Sequence, residues 1–272
     1  MIKNIRVLIV FTVSLFLANH AIGASSSSAV PLAIGESFTI NSASVKETRR
    51  INVYLPPGYA GKALPVMYMP DGGMLEDFLH VAGLLQVGAG NGTMRPFILI
   101  GIENTERRRD LTGPTDDPQD RRIAPRVGGS QAFRAFIRDE LMPEVARRYR
   151  ITRETAIVGE SLAGLFVVET LLTAPEMFDT YIAIDPSLWW NKGQLVTRTL
   201  PAFKSSKALY LATSGQAQLA AEVGALAPKL KAAEGTGLTW RHDEWPDETH
   251  GTIYHPAALK AFRAAFKPLP AP

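Results

Sequence analysis

The chain has 272 residues, 46% of them hydrophobic, with 29 Lys+Arg against 26 Asp+Glu and no cysteine. Without cysteine there can be no disulfide, thiolate metal site or cysteine nucleophile, so an apolar core alone must carry stability. The formal charge of +3 includes Lys3 and Arg6 in an acid-free leader; without it 27 bases face 26 acids, and nucleic acid is not an expected partner.

Met1 to Ala24 reads as a secretory signal peptide. Lys3 and Arg6 supply a basic start, Val7 to Ala18 an apolar core, and Ala21-Ile22-Gly23 the small residues of a cleavage site. The apolar core is too short for a confident membrane span, and no cysteine follows it to carry a lipid. The expectation is an exported protein, periplasmic or secreted, with no stable membrane insertion after cleavage and one domain over residues 25–272.

Strand-like runs begin at Ser37 to Ile40 and Arg50 to Leu55, the latter ended by the turn Pro56-Pro57-Gly58. Pro65 to Met69 and Phe97 to Ile102 are nearly continuous apolar runs, as suits strands covered on both faces of a parallel sheet. A long segment rich in Arg, Asp, Pro and Gly, Glu103 to Gly129, follows, and loops of that length are usually functional or disordered. Ser130 can cap a helix in which Phe133, Phe136, Ile137 and Leu141 recur every three or four residues. Thr155 to Val158, Tyr181 to Ile184, Ala208 to Ala212 and Leu238 to His242 then alternate with helix-like segments, the last from about Pro256 to Phe266. Eight strands with interleaved helices predict an α/β class with a mostly parallel sheet.

The most specific motif is Gly159-Glu160-Ser161-Leu162-Ala163-Gly164, at the junction between the fifth strand and an apolar helix. A serine between small residues there fits a nucleophile elbow, whose tight turn lifts the hydroxyl clear of the sheet. Ser161 is therefore the candidate nucleophile. In the elbow's chain order the base follows the last strand, and His250 in Asp247-Glu248-Thr249-His250-Gly251 lies there. His255, beside Pro256, is the weaker choice; Gly251 should free the loop to aim the imidazole.

An imidazole within hydrogen-bond reach takes the serine proton during attack and returns it to the leaving group. The oxyanion needs donors, for which the candidates are the N–H of Leu162 and those of Gly72 and Gly73 after the third strand. The acid is harder to find. After the seventh strand no carboxylate occurs before Glu222; Asp185, at the end of the sixth, is the alternative. With neither in the usual place, the sequence favours a Ser–His dyad. His242, Asp243, Glu244, Asp247, Glu248, His250 and His255 form a ligand-rich tail, but their spacing matches no HExxH helix, and no metal or other cofactor is expected.

The chain resembles the esterase family of α/β-hydrolases that includes enterobactin- and bacillibactin-type siderophore esterases, with esterase D-like enzymes more distant. The resemblance rests on Arg50 to Gly58, Pro65 to Gly72, Gly101 to Thr105 with Arg107 to Thr112, Gly128-Gly129, Gly159 to Phe166, Asp185 to Trp190 and Glu248 to Gly251. It implies the α/β-hydrolase fold and a serine carboxylester hydrolase with Ser161 as nucleophile and His250 as base. Some members are thought to use a dyad, which fits the missing acid. Three positions depart from the family: Ala163 for a glycine, Glu160 where His is frequent, and Asp185 where a small residue is expected.

A small-molecule ester is the expected partner. Arg107, Arg108 and Arg109 could meet an anionic acyl group of the kind a catecholate siderophore presents, or be neutralised by Glu106, Asp110, Asp116, Asp117 and Asp120. Trp189 and Trp190 could wall an acyl site or fill core. The alternatives to an esterase are a non-catalytic binding protein on the same fold, or an acyltransferase using the same acyl-enzyme.

Overall fold

A computed structural model describes residues 29–268; the expected signal peptide lies outside them. Among the described residues, 34–268 form one compact unit, and the irregular stretch 29–33 belongs to a separate one.

The larger unit runs β1 (Gly35–Ser42), β2 (Glu47–Tyr54), β3 (Leu64–Pro70), α1 (Phe78–Gly90), β4 (Ile98–Ile102), α2 (Arg107–Leu111), α3 (Asp120–Ile123), α4 (Ser130–Phe136) and α5 (Met142–Arg148). It continues β5 (Ile151–Glu160), α6 (Leu162–Thr173), β6 (Thr180–Ile184), α7 (Trp190–Thr197), β7 (Lys207–Ser214), α8 (Ala217–Ala233), β8 (Leu238–Trp245) and α9 (Tyr254–Ala265). All eight expected strands are present in one sheet, ordered β1-β2-β4-β3-β5-β6-β7-β8. β1 and β2 are antiparallel to each other, β2 is antiparallel to β4, and every other pairing is parallel.

Side-chain alternation sorts the core into two layers. On β5, Ile157 faces the layer covered by α4, α5, α6 and α8, while Ala156 and Val158 face the layer covered by α1 and α9. β4 and β6 are buried along their whole length, which is why they read as unbroken apolar runs. Phe166 of α6 and Phe262 of α9 are fully buried, each contributing about 1.5–3 kcal/mol by leaving water.

Two expectations need correction. The helix expected from Ser130 is α4 continued through a π-turn, Ile137–Leu141, into α5; Gly129 precedes it, and the buried Ser130 hydroxyl has no partner and caps nothing. The segment from Glu103 to Gly129 holds two short helices, α2 and α3.

Register sets the functional edge. Glu160 pairs with Ile184, Ile184 with Ala212, and Ala212 with Asp243, so the loops after β5 to β8 open at the same end of the sheet.

Candidate active site

Ser161 sits between β5 and α6 with φ 60° and ψ −121°, a backbone region a non-glycine residue rarely adopts. Its N–H donates to the Ile184 carbonyl at 3.0 Å, and its carbonyl accepts from Ser187 N–H at 3.0 Å, pinning the turn to the end of β6. A Cβ on Gly159 would lie 2.7 Å from the Cβ of Ala163. It would also lie 2.6 Å from the backbone C of Ala163, so position 159 must be glycine whatever stands at 163, and with glycine there the alanine at 163 is accommodated.

Three groups converge there. His250 Nε2 is 3.0 Å from Ser161 Oγ, and His250 Nδ1 is 2.7 Å from Asp185 Oδ2. Asp185 is fully buried, with its backbone at φ 45° just past β6. Its carboxylate also accepts the N–H and the hydroxyl of Ser214, both at 2.8 Å. Burial would raise its pKa, but the bonds from His250 and Ser214 prevail and hold the carboxyl below its ordinary range. The bond to Asp185 in turn lifts the His250 pKa, against the opposing effect of burial. In the tautomer with Nδ1–H donated to Asp185, Nε2 faces the serine with its lone pair.

Asp185, given above only as an alternative, is the carboxylate at Nδ1, which corrects both the dyad reading and the choice of Glu222. Glu222 lies within α8, where one oxygen accepts from Gln218 at 3.2 Å and the other is buried without a partner. The signal in the sequence was Asp185 directly after an apolar strand, one register step beyond the residue paired with Glu160.

The His250 loop is aimed by turns rather than by Gly251, whose backbone is ordinary and whose Cβ position is open. Thr249 accepts backbone bonds from Thr252 and Ile253, and Gly215 N–H donates to the Glu248 carbonyl at 2.9 Å. His255 stacks on His80, with ring centroids 4.9 Å apart, and His242 bonds Thr213 Oγ1 at 2.8 Å.

Of the three expected oxyanion donors, the two glycine N–H groups are engaged elsewhere. Leu162 opens α6, where a first-turn N–H has no partner within the helix. Gly72 N–H donates instead to the Ile102 carbonyl at 2.9 Å, and Gly73 N–H to Glu76 Oε2 at 2.6 Å. Gly72 is small because a Cβ there would sit 2.2 Å from the backbone N of Ile102.

Of the arginines, Arg107 grips Asp71 with Nε at 2.7 Å and Nη2 at 2.8 Å, and Arg109 bonds Glu47 and Asp110, each at 2.7 Å. Arg108 is exposed and donates to the Ile123 carbonyl. The three line a cleft of about 510 Å³ with Glu106, Ala124, Pro125 and Arg126. Trp190 is buried with its indole N–H on the Gly113 carbonyl at 2.9 Å, and Trp189 packs on the same core.

A strained serine at a strand-to-helix turn, with histidine and aspartate in line on a mostly parallel eight-stranded sheet, defines the α/β-hydrolase class. Residues 42–248 match the "Putative esterase" family, and the chain belongs to it. It is 34% identical over 178 residues to the ferri-bacillibactin esterase BesA of Bacillus subtilis, covering 56% of this chain and 59% of that one. The chain spans about half the length of the curated relatives it matches. Among solved structures, an IroE-like serine hydrolase of Shewanella oneidensis superposes with a TM-score of 0.76 at 31% identity, over 85% of this chain and 80% of that one. The siderophore hydrolase EstB of Aspergillus nidulans, 24% identical, shares the fold with a TM-score of 0.74 over 91% and 99%. Among the described residues no helix is long and apolar enough to cross a membrane.

Proposed function

We propose that this chain is an exported serine carboxylester hydrolase acting on siderophore-type or related acyl esters. The observation that carries the reading is the unbroken hydrogen-bond chain Ser161–His250–Asp185 at a strained elbow. Ser161 Oγ attacks the ester carbonyl while its proton moves to His250 Nε2. Leu162 N–H donates to the oxyanion, and a donor of that kind is worth about 2.7–4 kcal/mol. Collapse breaks the ester C–O bond, and the departing alkoxide takes the proton from Nε2. Water then attacks the acyl-enzyme by the same proton route in reverse and releases the acid. The substrate class is supported by BesA and by the fungal siderophore esterases it resembles. Export is supported by the reading of Met1 to Ala24.

The test is intact-mass analysis after a fluorophosphonate probe. One phosphonyl adduct per wild-type chain is expected, and none in Ser161→Ala or His250→Ala. A folded wild type that takes no adduct would favour a binding protein on the same fold.

The His250 loop provides a second check. A Cβ at Gly215 would lie 2.4 Å from the Pro246 carbonyl oxygen, so Gly215→Ala must push the loop away. Since misplacement by 1 Å can cost ~100-fold, this variant should lose about that much kcat/KM on a p-nitrophenyl ester with its far-UV circular dichroism unchanged. Full activity would show that the imidazole is positioned from elsewhere.

A further inference from the structure

We propose that Glu160 is a positioning residue for the base: it competes with Ser161 for Nε2 of His250 and so sets the pH at which the imidazole can accept the serine proton. This builds on the serine-hydrolase function proposed for the chain and concerns a residue that function leaves without a role.

The geometry is that of one ring nitrogen with two suitors. Glu160 Oε1 lies 3.3 Å from His250 Nε2, and Ser161 Oγ lies 3.0 Å from it. Nδ1 is already committed to Asp185 at 2.7 Å. In a neutral ring that donates Nδ1–H, Nε2 carries only a lone pair, and a lone pair facing a carboxylate anion at 3.3 Å is repulsive. The contact becomes favourable when one proton lies between them, on Nε2 as an imidazolium between two carboxylates, or on Glu160 as a donated O–H. Either form occupies the lone pair that Ser161 needs.

The surroundings favour keeping that proton. Glu160 ends β5 with its side chain 16% exposed. Asp185 faces it from the end of β6, Asp77 from the segment between β3 and α1, and the partly buried Tyr254 from α9. The facing cation is Arg107 of α2, and both oxygens of Asp71 already hold it. Burial raises Glu160 to about 7, with Asp77 and Asp185 adding to the rise and His250 and Arg107 opposing it. Asp77 is itself raised to about 6, by burial first and then by Asp71. The Glu160–His250 pair therefore titrates as a unit, and the serine gains its base only when the last shared proton leaves.

This arrangement trades availability for strength. Below neutrality the pair holds the proton and the base is blocked. Above it, the imidazolium formed during attack sits between two carboxylates, which makes His250 a stronger base than Asp185 alone would.

The experiment is the pH profile of kcat/KM on a neutral p-nitrophenyl ester for wild type, Glu160→Gln and Glu160→Ala. It is paired with a ¹⁵N NMR titration of the His250 ring in Ser161→Ala, with and without Glu160→Gln. In the wild type the acid limb should lie above the ordinary histidine value of about 6.5. Both Glu160 variants should move it down by about one pH unit, as loss of a neighbouring charge does, and lower the alkaline plateau about three- to ten-fold. The ring titration should fall by the same amount when Glu160 is replaced. If wild type is active and neither limb nor ring titration moves, the proposal fails and the serine-hydrolase function stands. If wild type is inactive but the ring titration shifts, proton sharing stands and the hydrolase function fails. Should Glu160→Gln misfold, as its melting curve would show, the Glu160→Ala limb decides by the same one-unit criterion.

Discussion

Replacing Asp185 with asparagine is expected to lower kcat by about 10³–10⁴ with little change in fold. The reason is the tautomer. Asp185 Oδ1 is fixed by the Ser214 N–H, while Oδ2 accepts from both the Ser214 hydroxyl and His250 Nδ1. In the asparagine variant the oxygen stays with the Ser214 N–H and the amide NH₂ turns to the imidazole. Nδ1 must then accept, so the ring proton moves to Nε2 and the lone pair facing Ser161 is lost. Single-turnover acylation measured beside far-UV circular dichroism separates this from unfolding. A loss below about ten-fold would restore the dyad, since an acid that orients the ring is worth far more than that. Glu222→Gln is the control and should leave kcat unchanged, because neither of its oxygens meets His250.

The proposed nucleophile is legible in the sequence and the proposed acid is not, and the difference is one of locality. Ser161 announces itself locally: an apolar strand, small neighbours and an apolar helix all lie within a dozen residues. His250 follows from chain order, as the histidine in the loop after the last strand. Asp185 and Glu222 are both late carboxylates near strand ends, and only sheet register separates them. Glu160 pairs with Ile184, so Asp185 emerges level with Ser161, whereas Glu222 is carried up α8. The glycines after β3 mislead for a related reason. Two glycines in a turn can free an N–H, but whether it stays free depends on Ile102 and Glu76, neither of which the motif contains.

The arginine segment is opaque for a different cause. Helices of four and five residues are too short to print a periodic pattern, and they persist only through tertiary contacts. Arg107 and Arg109 find their carboxylates on Asp71 and Glu47, far away in the chain. Two of the arginines that look like an anion-binding row are therefore pinned inside the scaffold, and Arg108 and Arg126 are the exposed ones on that cleft.

That scaffold depends on one buried pair, and Asp110→Ala is expected to destabilise the protein by about 3–5 kcal/mol. Arg49 of β2 is fully buried, with its guanidinium 5.3 Å from the centroid of Phe133 and hydrogen-bonded to Asp110, itself 1% exposed. Two of the three guanidinium nitrogens, Nε and Nη1, already lack a partner. Nη2 reaches Glu47 at 2.6 Å and Asp110, while Asp110 also accepts from Arg109 Nε at 2.7 Å. Removing the Asp110 carboxylate leaves a charge in the core with only the partly exposed Glu47 to balance it. An unpaired buried charge costs far more than a lost surface bridge, whose worth is about 0–1 kcal/mol. The loss should also loosen α2, which carries both Asp110 and the Arg107 that grips Asp71. Urea unfolding gives the free energy, and Arg49→Met with Asp110→Leu identifies its source. If desolvated charge is the cause, the apolar pair should recover most of the stability that Asp110→Ala loses. If Asp110→Ala costs under about 1 kcal/mol, the bridge is worth no more than an exposed one, and α2 is anchored by its other contacts, Arg107 to Asp71 and Arg109 to Glu47.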